Sequence, residues 1–192
     1  MIKMKHAFAA AAVMALCASA SAANLVTNGS FETGNFSGWN FGGNTGATGV
    51  TSNFQGVAAT DGNFEGYFGA VGGDTVLSQQ LTVNAGATYT ISFDLDDLSG
   101  GGPQDFSASF GGATLVSYTS QPFGTYTHES FTAVGGNGDL VFTARQDPSY
   151  WLMDNVSVVQ TASPVPEAAS SSMMLAGVAL LGFAALRRRQ AR

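Results

Sequence analysis

Between Asn24 and Gln160 apolar residues recur at every second position, a spacing that buries one face of a strand and that no helix satisfies. Tyr89, Ile91, Phe93 and Leu95 fall on one face and Thr90, Ser92 and Asp94 on the other. Phe106, Ala108 and Phe110 repeat the pattern, as do Leu140, Phe142 and Ala144, and then Leu152, Val156 and Val158. Glycine-rich punctuation separates these runs, at 42–44, 72–74, 84–86, 100–103, 111–112 and 135–139, and leaves no room for a long helix. The reading is an all-β fold: half-buried antiparallel strands, polar outside and apolar inside, closed into a two-sheet sandwich of jelly-roll type around one core. No fixed-period repeat suggests a solenoid.

Charge divides the chain. Of 192 residues, the basic ones are Lys3, Lys5, Arg145, Arg187, Arg188, Arg189 and Arg192. Residues 23–163 therefore hold one basic residue against twelve acidic ones, a net of -11, which excludes a nucleic-acid partner because phosphate binding needs several Lys or Arg on one surface. The terminal basic clusters instead flank apolar runs. Residues 1–22 have the layout of a secretory signal peptide, with Lys3 and Lys5, an Ala-rich stretch, and small residues at Ala20 and Ala22 that suit cleavage by signal peptidase after Ala22. Cys17, the only cysteine, leaves with that segment, so the exported domain, residues 23–160, forms no disulfide. A Ser/Pro/Ala linker spans 161–172, and 173–192 reads as a transmembrane helix with an Arg-rich tail. Met173 to Leu186 covers about 21 Å as a helix, and counting back to Ala168 gives about 28 Å, just enough to span a bilayer. The Arg cluster would hold the C-terminus in the cytoplasm.

Pro164-Val165-Pro166-Glu167-Ala168, the apolar segment with Gly177 and Gly182, and Arg187-Arg188-Arg189 together resemble a PEP-CTERM sorting signal. Ala168 stands where the motif has its second Pro. The resemblance implies a substrate of exosortase, cut near Pro166 and Glu167, in a bacterium that makes exopolysaccharide. It covers only the C-terminal part of the chain.

The folded domain carries a second resemblance. Asn24-Leu25-Val26-Thr27-Asn28-Gly29-Ser30-Phe31-Glu32, then Gly38-Trp39, and the closing Trp151-Leu152-Met153-Asp154-Asn155-Val156-Ser157-Val158 are similar to the start and end of galactose-binding-like jelly rolls, such as carbohydrate-binding modules. That family implies a structural calcium ion at Glu32 and Asp154, assisted by backbone carbonyls. An acidic domain without disulfides would gain from such an ion, which takes six to eight oxygen ligands. Asp94, Asp96, Asp97 and Asp105 surround a loop, Leu98 to Gln104, that fails the EF-hand pattern and reads as a flexible solvated segment.

Sugar rings stack their apolar faces on exposed aromatic side chains, so glycan binding needs such a residue outside the core. Trp39 belongs in the core by its place in the opening motif. Trp151, opposite to Leu152 on its strand, points outward beside Tyr150 and Arg145, and these three are the candidate ligand-binding residues. Tyr67, Tyr118 and Tyr126 are weaker candidates. His128-Glu129-Ser130 places His and Ser on one strand face without an evident Asp to orient them, and no His or Cys cluster suits zinc. The sequence thus points to an exported, noncatalytic protein of the cell surface or extracellular matrix that binds exopolysaccharide or another glycan. A structural matrix protein that binds no sugar is the alternative, and a small hydrolase a more remote one.

Overall fold

The computed structural model describes residues 23–98, 102–119 and 124–161. The signal segment with Ala20 and Ala22, most of the linker, the Pro166-Glu167 motif and the C-terminal apolar segment with Arg187, Arg188 and Arg189 lie outside them. Among the described residues no helix is long and apolar enough to cross a membrane.

Ten strands follow one another in the described chain: β1 (Asn40–Gly43), β2 (Thr48–Thr51), β3 (Glu65–Phe68), β4 (Thr75–Gln80), β5 (Thr88–Asp97), β6 (Gln104–Phe110), β7 (Ala113–Thr119), β8 (Thr127–Val134), β9 (Asp139–Gln146) and β10 (Trp151–Gln160). They form two antiparallel five-stranded sheets, ordered β1-β4-β9-β6-β7 and β2-β3-β10-β5-β8. Burial alternates strictly along β6 and β9, as a half-buried strand requires. Phe106, Phe110, Leu140 and Phe142 from the first sheet meet Tyr89, Ile91, Phe93 and Leu95 from the second in one core.

Two segments depart from the half-buried pattern. At Asp94 to Asp97 and Trp151 to Asp154 both sheet faces are buried, and residues 54–64 fold back over the outer face of the second sheet there, bonding Glu65, Asp94 and Asp154. The closing strand also changes parity. Its pairing with β5 slips between Asp154 and Ser157, where Asn155 takes a left-handed φ of 53°. This bulge makes Trp151 and Met153 inward-facing before it and Val156 and Val158 inward-facing after it. Placing Leu152 with Val156 and Val158 therefore put Trp151 on the wrong face: Trp151 is wholly buried, its ring 5.5 Å from that of Phe106. One extra residue exchanges the faces of everything beyond it.

The opening motif explains where the bulge falls. Before it, β10 pairs with β3 on one edge; beyond it, that edge receives the start of the domain, with Asn24 bridging Val159 and the Leu25 amide donating to the Val158 carbonyl. The Val156 amide donates to the Gly29 carbonyl, and a Cβ at Gly29 would run into the Val156 carbonyl, so glycine is required by close backbone approach. Phe31 and Trp39 then enter the core, with the Trp39 indole N–H donating to the Asn28 carbonyl.

Candidate functional site

Three aromatic rings gather at one end of the second sheet. Tyr67 stands on the outer face of β3, Tyr150 immediately precedes β10, and Phe54 comes from a short 3-10 turn, Phe54–Gly56, in the covering segment. Phe54 and Tyr67 stack at 4.6 Å and 18°, while Tyr150 meets Phe54 at 4.7 Å and Tyr67 at 6.1 Å, edge to face in both cases. All three are half-buried. Two glycines make the space: a Cβ at Gly49 would lie 2.6 Å from the Tyr67 hydroxyl, and one at Gly69 would collide with the Tyr150 ring. Two shallow hollows elsewhere, beside Gln79 and between β7 and β8, bring no pair of aromatic rings together.

The structure separates the three residues expected to bind a ligand. Tyr150 joins the cluster, whereas Trp151 lies in the core with its indole N–H donating to the Arg145 carbonyl. Arg145 alternates outward on β9, in the other sheet, where its charge acts on Asp105. Of the weaker candidates only Tyr67 contributes a ring. Tyr118 donates to Glu129, and Tyr126 to Glu65. Phe54 was missed because a single Phe in a polar loop carries no sequence pattern; its partners are fixed only by the fold.

Beneath the covering segment, strand register lines up carboxylates that are far apart in sequence. Asp154 lies opposite Asp94, and Asp94 opposite His128; Glu65 is the residue next to Gly66, which pairs with Met153. Asp94 and His128 meet at 2.6 Å between Oδ1 and Nδ1. Glu65, Asp96 and Asp154 are essentially inaccessible. Burial raises the carboxyl of Asp154 to about 6 against the favourable hydrogen bonds it receives, and burial likewise raises Glu65 and Asp96. Burial also works to raise Asp94, but hydrogen bonds from Thr60, His128 and Asn155 together outweigh it and hold that group low. Burial, and then the negative charge of Glu65, pushes the Tyr126 phenol upward.

This corrects the expectation of one solvated acidic loop at Asp94, Asp96, Asp97 and Asp105. The first three belong to β5 and are buried. Asp94 faces the covering segment, whose Thr60 hydroxyl donates to it, and Asp96 acts on Tyr126; Asp97 faces inward and accepts from the Gln146 amide at 2.5 Å. Asp105 stands on β6, with its neighbours Asp74 and Arg145.

The covering segment is held by these acids through its own amides. The Phe54 amide donates to Glu65. The amides of Thr60 and Asp61 donate to Asp154 Oδ2 at 2.7 and 2.8 Å. Those of Asn63 and Phe64 donate to Glu32 Oε1 at 2.7 and 2.8 Å, and they hold the Glu32 carboxyl below its ordinary range. The Thr60 hydroxyl reaches both Asp94 and Asp154. Glu32 Oε1 and Asp154 Oδ2, in the two carboxylates that the family resemblance assigns to calcium, thus face amide hydrogens, and among the described residues no group of three or more His, Cys, Asp or Glu is arranged to hold a metal.

Residues 164–189 match the PEP-CTERM protein-sorting motif, which marks an exported protein sorted to the cell surface. No relative among curated proteins matches the sequence. Among solved structures the fold is similar to TmCBM61 in complex with β-1,4-galactotriose, with a TM-score of 0.58 at 20% identity over 72% of this chain and 99% of that one. It is also similar to the CBM22-1 xylan-binding domain of Paenibacillus barcinonensis Xyn10C, with a TM-score of 0.50 at 17% identity over 76% and 99%. The K1 cleaved adhesin domain of Lys-gingipain from Porphyromonas gingivalis W83 gives 0.52 at 14% over 66% and 92%. These likenesses establish the fold, a jelly roll of the kind used by carbohydrate-binding modules.

Proposed function

We propose that this jelly roll is a noncatalytic glycan-binding component of the cell surface or extracellular matrix. The observation that carries the reading is the Phe54, Tyr67 and Tyr150 cluster, three half-exposed rings held together by stacking and by two glycines. Such rings offer an apolar face to the C–H side of a sugar and a hydroxyl at each tyrosine for orientation. Support comes from the two fold neighbours whose ligands are galactotriose and xylan. Exopolysaccharide is the ligand class that matches the sorting signal.

Around this domain the delivery steps follow from the sequence. Signal peptidase removes residues 1–22, the segment after Met173 anchors the chain in the membrane for a time, and exosortase acts near Pro166 and Glu167. Affinity electrophoresis of the protein in the producer's exopolysaccharide and in galactan and xylan tests the binding role. Wild type is expected to be retarded in at least one gel, with Tyr67→Ala and Tyr150→Ala each weakening retention. Free migration of wild type in all of them would favour the purely structural alternative.

A further inference from the structure

The resemblance of the opening and closing motifs to jelly rolls with bound calcium assigns Glu32 and Asp154 to an ion, yet the polarity of the loop between them is that of an anion receptor. A calcium-binding loop directs carbonyl oxygens at the ion. Here Thr60, Asp61, Asn63 and Phe64 direct amide hydrogens at the two carboxylates, two to Asp154 and two to Glu32. Gly62 between them has φ of 76°, and a Cβ there would collide with the Glu32 carboxylate, so the backbone wraps directly onto the acid. Runs of amides turned to one side form anion-binding concavities. In this molecule the bound anions are its own side chains, one from the start of the domain and one from its closing strand. A third carboxylate, Glu65, takes the Phe54 amide ten residues upstream of Phe64.

We propose that Glu32 and Asp154 form a metal-free clamp on residues 60–64, and that they act as positioning residues for the segment that brings Phe54 onto Tyr67 and Tyr150. The clamp stands on the hydrogen bonds alone; its consequence for ligand binding rests on the glycan-binding reading. Charge-assisted bonds to carboxylates are roughly twice as strong as neutral ones, which suits them to hold a loop of irregular backbone. The excess of acidic residues thereby has an internal use, because several of them serve as acceptors for backbone amides.

The test is amide hydrogen exchange resolved by residue on the purified protein, in EDTA and in millimolar calcium, alongside calorimetric titration with calcium chloride. Protection at Thr60, Asp61, Asn63 and Phe64 is expected to be the same in both solutions. Glu32→Ala is expected to lower protection about tenfold or more at Asn63 and Phe64 while sparing Thr60 and Asp61, and Glu32→Gln, which keeps an acceptor oxygen, restores most of it. Glu32 is exposed and outside the core cluster, so these variants leave the core intact. Binding of one equivalent of calcium by wild type, lost in Glu32→Gln, would overturn the clamp. Uniform loss of protection across the domain in Glu32→Ala would overturn it as well. In the electrophoresis above, Glu32→Ala weakens retention without touching the rings. A wild type that binds no glycan defeats the functional reading but leaves the exchange pattern to decide the clamp.

Discussion

Replacing Trp151 separates the core from the ligand site, because the sequence and the fold assign that residue opposite roles. Its indole is completely buried between the sheets, packs on Phe106, and satisfies the Arg145 carbonyl at 3.1 Å. Truncation of a buried aromatic to alanine costs about 3–5 kcal/mol through lost transfer energy and the cavity left behind. The hydrogen bond to the Arg145 carbonyl is lost in the same change, and such a bond is worth about 0.5–1.5 kcal/mol. Trp151→Ala is therefore expected to destabilise by at least about 3.5 kcal/mol, a large share of what a domain of this size possesses. Trp151→Phe keeps most of the packing and loses the hydrogen bond, so it is expected to cost about 1–3 kcal/mol. Urea denaturation followed by far-ultraviolet circular dichroism measures both. Retention of Trp151→Phe in a glycan gel, at a temperature where it is folded, should equal that of wild type. A Trp151→Ala variant with near-native stability and a selective loss of binding would refute the assignment and return Trp151 to the surface.

Acidification supplies a second prediction. Asp154 titrates near 6 in the fold against an ordinary 3.8, so the native state takes up its proton first. Its stabilising contribution is complete below pH 3.8 and is lost as pH rises through 6. Folding stability should thus rise by on the order of 2 kcal/mol between pH 7.5 and 4.5 from this group, with Glu65 and Asp96 shifting in the same sense. The difference between wild type and Asp154→Asn, measured by urea titration across that range, should carry the slope; a constant difference would refute it. Gly69→Ala is expected to displace the Tyr150 ring and weaken glycan retention several-fold while the domain still melts cooperatively. Gly29→Ala, by contrast, should destabilise by roughly 2 kcal/mol or more in thermal denaturation, since the clash is with the backbone of the closing strand. Intact mass spectrometry of the surface-associated protein should show a C-terminus near Glu167; a mature chain that still carries Arg187 to Arg192 would contradict processing.

The sequence by itself determined the class of fold, because period-2 burial and glycine turns are local properties that each strand expresses alone. Tyr89, Ile91, Phe93 and Leu95, then Phe106, Ala108 and Phe110, then Leu140, Phe142 and Ala144 all face the core as their spacing requires. The sorting motif is similarly local, a linear signal whose order of Pro-Glu, apolar segment and Arg tail needs no fold to be read. What tertiary structure decided was every feature that depends on which strands become neighbours. The bulge at Asn155 arises where the partner of β10 changes from β3 to the opening motif, and that exchange turned Trp151 inward. The covering segment lies over Asp94 and Asp154, whose charges gave no sign in sequence of lying under a loop. Glu32 and Asp154, 122 positions apart, share the backbone of residues 60–64 only because the two ends of the domain meet on one sheet. Phe54, Tyr67 and Tyr150 come together for the same reason. Alternation records only which face of its own strand a residue occupies, whereas a site is made by what the rest of the chain lays against that face.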